Sequence, residues 1–111
     1  MRKYPIRLEG ITTWDRENDR EAEFTKFILK SPDAFAFEFD YERSHYSGTF
    51  HRNTSGMFSG DFSAKGDGGN RSGKGQCELN EKNGIYFLIG IWFEDGIKYD
   101  YWHAELSEID Q

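Results

Sequence analysis

The sequence predicts an all-β, single-domain fold: an antiparallel up-and-down meander of about eight strands, closed as a barrel or stacked as a β-sandwich, with little or no helix. Three observations point there. Apolar and polar residues alternate with a period of two along most of the chain. Turn-forming residues recur at roughly eight- to twelve-residue intervals, the spacing of small β domains. The 111 residues, 17% of them aromatic, hold twelve glycines but only two prolines, enough chain for one core and no more, so residues 1–111 read as a single domain.

Taken in order, PIRLEGITTW sets Ile6, Leu8, Gly10, Thr12 and Trp14 on one side of a strand. The segment WDRENDREAE is charged and has no apolar stripe, which makes it an exposed connection with room for one helical turn. EAEFTKFIL follows, with Phe24 and Ile28 on one face and Phe27 and Leu29 on the other. Ser31-Pro32-Asp33 is a turn signal. AFAFEFDYE alternates most cleanly: Phe35, Phe37, Phe39 and Tyr41 face one way and Glu38, Asp40 and Glu42 the other, the pattern of a half-buried strand. Two similar stretches, YSGTF and FSGDF, lie twelve residues apart and each place a glycine on the face of its two aromatics. A glycine inside a strand marks a bend or a close approach of another strand. Arg52 to Gly56 separates them as a hairpin loop, GQCEL sets Gly75, Cys77 and Leu79 on one face, and Glu81-Lys82-Asn83-Gly84 turns into the last hairpin.

That hairpin, GIYFLIGIWFEDGIKYDYWHAEL, is the densest apolar run in the chain. With Asp95-Gly96 as a two-residue type I′ turn, Glu94 pairs with Ile97 and the numbers of paired residues sum to 191. One face then holds Ile85, Phe87, Ile89 and Ile91 opposite Leu106, Ala104, Trp102 and Asp100, an aliphatic, core-like set. The other holds Tyr86, Leu88, Gly90 and Trp92 opposite Glu105, His103, Tyr101 and Tyr99, side chains with apolar bodies and polar tips. This second face suits a core wall, the lining of a ligand cavity, or an exposed patch for a partner.

The meander of short strands resembles the avidin-like and lipocalin-like eight-stranded barrels along nearly the whole chain. It departs from the lipocalin signature, since Gly10-Ile11-Thr12 stands where G-x-W is required. The resemblance implies a barrel and, as one functional reading, a small-ligand-binding protein whose aromatics line a cavity.

Sites of chemistry are sparse. The glycine-rich KGDGGNRSGKGQ matches a phosphate-binding loop from Gly68 to Lys74, but Gly75 replaces the magnesium-binding hydroxyl and no α/β context exists. As a calcium loop it fails at Gly69, Arg71 and Ser72. It reads as a mobile hairpin loop. His45, His51 and His103 with Cys77 have no compact zinc spacing, and an acid–base pair such as His51 with Asp61 across the hairpin is of a kind that any β protein with twenty acids offers. No serine occupies a nucleophile elbow. The expectation is a non-enzyme with no catalytic residues, no metal and no cofactor.

Charge supplies the remaining direction. The formal net charge is −6, and residues 78–111 carry eight acids against Lys82 and Lys98. Such a balance argues against nucleic-acid binding and favours steering toward a basic partner. The lone Cys77 forms no internal disulfide, the N-terminus lacks a signal-peptide core, and no apolar run approaches membrane-spanning length. A cytoplasmic protein that binds no membrane is expected, with its oligomeric state open.

A small, acidic, single-domain chain without a catalytic motif is similar to bacterial toxin-immunity proteins, including those of contact-dependent growth inhibition systems. The resemblance implies a basic protein partner, a toxin domain such as a nuclease, blocked by occlusion of its active site. The expected partner-binding residues are Tyr86, Trp92, Tyr99, Tyr101 and His103, flanked by Glu94, Asp95, Asp100 and Glu105, with Glu38, Asp40 and Glu42 as a second acidic row.

Overall fold

Eight strands follow one another along the chain: β1 (Ile6–Asp15), β2 (Arg20–Ser31), β3 (Ala34–Tyr41), β4 (Ser44–Arg52), β5 (Phe58–Gly66), β6 (Arg71–Lys82), β7 (Ile85–Glu94) and β8 (Ile97–Glu108). The computed structural model describes residues 3–15, 20–67 and 69–109. Each strand pairs antiparallel with the next, and β8 returns to pair with β1, so the sheet is a closed meander barrel. Closure leaves no unpaired sheet edge. Among the described residues there is no helix; of the expected connection WDRENDREAE, Trp14 and Asp15 end β1 and Arg20 to Glu23 begin β2, with Trp14 and Ala22 buried, and residues 16–19 lie outside the described residues.

Three of the connections are two-residue turns with both central residues at positive φ: Glu42-Arg43 (47° and 62°), Asn83-Gly84 (54° and 85°) and Asp95-Gly96 (52° and 76°). These are type I′ turns, whose twist matches that of the flanking strands. Glu42 therefore sits in a turn and does not extend the acidic row of β3; neither Glu42 nor Arg43 carries the Asn or Gly that announces such a turn in sequence. The Arg52–Gly56 loop is organised by Asn53, whose side-chain carbonyl accepts from the Ser55 amide (3.0 Å) and the Met57 amide (3.1 Å). The glycine-rich segment is mostly strand: β5 runs to Gly66 and β6 begins at Arg71.

The interior is filled with rings. Phe35, Phe37 and Phe39 from β3, Tyr46 and Phe50 from β4, and Phe58 and Phe62 from β5 all point inward with Trp92 and Trp102. Phe37 reaches across the barrel to Trp92 (6.1 Å between centroids) and Trp102 (6.0 Å), so no ring-lined lumen remains along that diameter. Rings of this size fit because inward glycines lie beneath them. A Cβ on Gly75 would meet the Phe50 ring at 2.7 Å and the Trp102 ring at 3.2 Å. The two YSGTF/FSGDF glycines, Gly48 and Gly60, play the same part under Phe37 and Phe50, the alternation of large and small residues that fills a small barrel. The Trp102 indole hydrogen in the interior is satisfied: Trp102 Nε1 donates to the Thr12 hydroxyl (2.8 Å), which donates to the His103 carbonyl (3.2 Å).

Among several register shifts in the barrel, two in strand interiors decide which faces are buried. In β2, Phe24 pairs with Phe39 but Lys26 pairs with Glu38, so Thr25 is an extra residue. Phe24, Phe27 and Leu29 consequently all face inward, correcting the split of these residues between two faces. In the last hairpin Glu94–Ile97 and Trp92–Tyr99 pair in the register expected from the turn, but Gly90 pairs with Trp102 and Tyr86 with Leu106. Asp100 and Tyr101 together oppose Ile91, and beyond this bulge the register is displaced by one residue.

Candidate functional site

The displaced register decides which face of β7 is outside. Strict alternation groups Ile85, Phe87, Ile89 and Ile91 with Trp102, Ala104 and Leu106; the bulge instead joins Tyr86, Leu88, Gly90 and Trp92 to those three on the inner wall. Tyr86 and Trp92, expected at a partner surface, are core residues, 5% and 2% exposed. Trp92 stacks on Phe62 at 3.9 Å and 18°. Tyr101, His103 and Glu105 keep an outward position, with the Tyr101 and His103 rings stacked at 5.6 Å.

What faces outward from β7 is the aliphatic set that the sequence placed in the core. Ile89 is 51% exposed and Phe93 38%, with Ile85, Phe87 and Ile91 half-buried along the same line. Ile11, on the outer side of β1, is 52% exposed. Acids surround the middle of this stripe. Ile11 lies between Glu23 on β2 and Glu105 on β8, Phe87 also pairs with Glu105, and Ile89 pairs with Glu78 on β6. Lysines appear only toward the ends, Lys74 and Lys98 beside Phe93 and Lys82 beside Ile85. Glu9, Ile11, Glu23, Ile85 and Glu105 line a shallow depression of about 390 Å³ on this wall.

A second concavity, about 360 Å³, lies at the barrel mouth where the β3–β4 and β7–β8 turns and the starts of β2 and β6 meet. Its floor is a hydrogen-bonded knot. Glu94 accepts from Trp92 Nε1 (3.2 Å) on one oxygen, and from the Tyr46 hydroxyl (2.9 Å) and Arg71 Nε (3.1 Å) on the other. Arg71 Nη2 also donates to the Tyr46 oxygen (3.1 Å) and to Ser44 Oγ (3.3 Å). Burial pushes the Tyr46 phenol up to about 12, Glu94 adding to the shift and Arg71 opposing it. Of the expected partner-binding residues, Glu94, Asp95, Tyr99 and Glu42 belong to this mouth and not to the outer stripe.

The second acidic row is elsewhere again. Glu38 and Asp40 stand on the outer side of β3, four strands from β7 in an eight-strand ring and therefore on the opposite wall. They are not free acids: His45 Nδ1 contacts Asp40 at 2.6 Å, its Nε2 contacts Glu38 at 2.9 Å, and Lys26 lies 3.8 Å from Glu38. The hydrogen bond to Asp40, then that to Glu38, raises the imidazole above its ordinary pKa. One rigid partner cannot cover both rows at once.

The groups considered for metal or acid–base chemistry do not converge. Cys77 is inside the barrel, where burial pushes its thiol up and keeps it a thiol, whereas His45, His51 and His103 are on the outside. His51 pairs with Ser59, and Asp61 with Thr49. Among the described residues no group of three or more His, Cys, Asp or Glu is placed to hold a metal ion, and no helix is long and apolar enough to cross a membrane.

Sequence reasoning placed Ile89 in the core and gave Phe93 no face, while the alternation of PIRLEGITTW turned Ile11 outward without marking it as part of a patch. A β strand apolar on both faces gives no signal for which face is outside, and the deciding bulge at Asp100-Tyr101 leaves no compositional trace. No family model, no curated protein and no solved structure matches this chain.

Proposed function

We propose that this chain is a small acidic binding protein that docks a basic protein partner on the outer wall formed by β6, β7, β8 and β1, in the manner of an immunity protein that occludes a toxin nuclease. The observation that carries the reading is the exposed Ile11–Ile89–Phe93 stripe with Glu23, Glu78 and Glu105 set against it. Apolar patches rimmed by charge are the usual form of protein-interaction sites. Self-association through the same wall brings like charges together, whereas a basic surface gains from them. Tyr101 and His103 extend the stripe with amphipathic rings, so part of the expected site is retained while Tyr86 and Trp92 leave it. The acids steer the encounter, and the aliphatic stripe slows dissociation once water is excluded.

The test is co-expression with the partner this reading requires, the basic C-terminal domain of a secreted protein whose gene lies immediately upstream. The wild-type chain is expected to form a complex with it that weakens as salt is raised and to restore growth. Ile89→Arg combined with Glu105→Arg is expected to keep cooperative unfolding while losing at least a hundredfold in affinity, about 2.7 kcal/mol. A complex unaffected by this pair, or a neighbouring toxin that the wild-type chain neither binds nor blocks, sinks the reading.

A further inference from the structure

The barrel mouth carries charges that alternate in sign around an aromatic cleft. Arg20 stands at the start of β2, Glu42 in the β3–β4 turn, Arg71 at the start of β6 and Asp95 in the β7–β8 turn. Between them Trp14, Tyr41 and Tyr99 form apolar walls, Trp14 meeting Tyr41 edge-on at 4.8 Å. At the floor Arg71 and Glu94 neutralise each other at 3.1 Å, and both are held by Tyr46. Among the described residues lining the cleft, that leaves Arg20 as the basic group at the rim and Glu42 and Asp95 as the acidic ones. Among the described residues Arg20 meets Asp15 at 3.7 Å, and Asp95 lies 3.8 Å from Arg71.

A ligand bearing only positive charge has to approach two guanidinium groups here, and one bearing only negative charge has to approach three carboxylates. Both are penalised by like charge in a partly dehydrated cleft. A molecule carrying one of each, with an apolar body between the rings, avoids both penalties. We propose that the mouth is a binding site for a small zwitterion: an ammonium group at Glu42 and Asp95, a carboxylate at Arg20, and an aromatic or aliphatic body between Trp14, Tyr41 and Tyr99. A cleft of about 360 Å³ falls at the lower end of the size range of small-molecule sites. The site is separate from the outer stripe and does not depend on the docking reading.

The test is calorimetric titration of the full chain with three probes of one shape: L-phenylalanine, phenethylamine, which lacks the carboxylate, and 3-phenylpropionate, which lacks the ammonium. L-Phenylalanine is expected to bind at least tenfold tighter than either. Arg20→Gln is expected to erase its advantage over phenethylamine, while Arg20→Lys retains most of it. The double variant Glu42→Gln, Asp95→Asn is expected to erase the advantage over 3-phenylpropionate. Ile89→Arg leaves all three titrations unchanged. Equal binding of phenethylamine, equal binding of 3-phenylpropionate, no binding of L-phenylalanine, or binding that survives the rim substitutions would each overturn the proposal. Circular dichroism of each variant separates loss of the site from loss of the fold.

Discussion

At the scale of single residues, the acids that define this chain's charge are not equivalent. Glu94 is tied to three donors beneath the mouth, whereas Glu105 stands exposed beside apolar surface. Glu38 and Asp40 share His45, and that cluster has a pH signature. Because the imidazole pKa is raised in the folded state, the folded chain holds the proton more tightly than the unfolded one. The stabilisation is fully present below the unfolded value of about 6.5 and is lost as pH rises through the raised folded value. His45→Gln should therefore narrow the gap in urea midpoint between pH 6 and pH 8, mainly by lowering the pH 6 value. An unchanged pH profile would mean that the His45 contacts do not persist in solution. The pairing of Asp40 with His45 was hidden in the sequence because the Glu42-Arg43 turn that brings them opposite carries no glycine or asparagine.

At the scale of elements, the strands are set by which residues can lie under a ring. Gly75 is the clearest case, since a methyl group there meets Phe50 and Trp102, both without room to retreat. Gly75→Ala should cost about 1–3 kcal/mol by overpacking. The cost should shrink in a Phe50→Leu background, because the ring that the methyl strikes is gone. Urea unfolding of the four chains of this cycle measures it, and an equal cost in both backgrounds rules out the packing explanation. Gly48 and Gly60 were visible in YSGTF and FSGDF as same-face partners of aromatics, whereas Gly75 was visible only as an inward residue beside Cys77 and Leu79, and the structure sets all three under rings. The bulges at Thr25 and Asp100-Tyr101 were not visible. Each inserts one residue that reverses every side chain beyond it, while the local composition stays ordinary.

At the scale of the whole molecule, closure of β1 against β8 makes the barrel one cooperative unit whose three tryptophans, on β1, β7 and β8, all lie in the core. Native emission should therefore be blue-shifted and weakly quenched by acrylamide. The shift to red in urea should coincide with loss of the far-ultraviolet β signal in a single transition. Two separated transitions would mean that the β1–β8 seam opens on its own. The sequence by itself determined the all-β class, the eight-strand meander, the inward faces of PIRLEGITTW, AFAFEFDYE and GQCEL, and the Asn83-Gly84 and Asp95-Gly96 turns, because period and turn chemistry are local. It also determined that the charge is negative and concentrated toward the C-terminus. Only the tertiary structure decided that Tyr86 and Trp92 are core and that Ile89 and Phe93 are surface. It alone gathered Glu42, Asp95 and Tyr99 at one mouth with Arg20 and Arg71, and set Glu38 and Asp40 on the far wall. The reason is physical: where a strand is apolar on both faces, burial is decided by cross-strand register, and in β2 and the β7–β8 hairpin that register turns on single-residue bulges that act across the barrel and not along the chain.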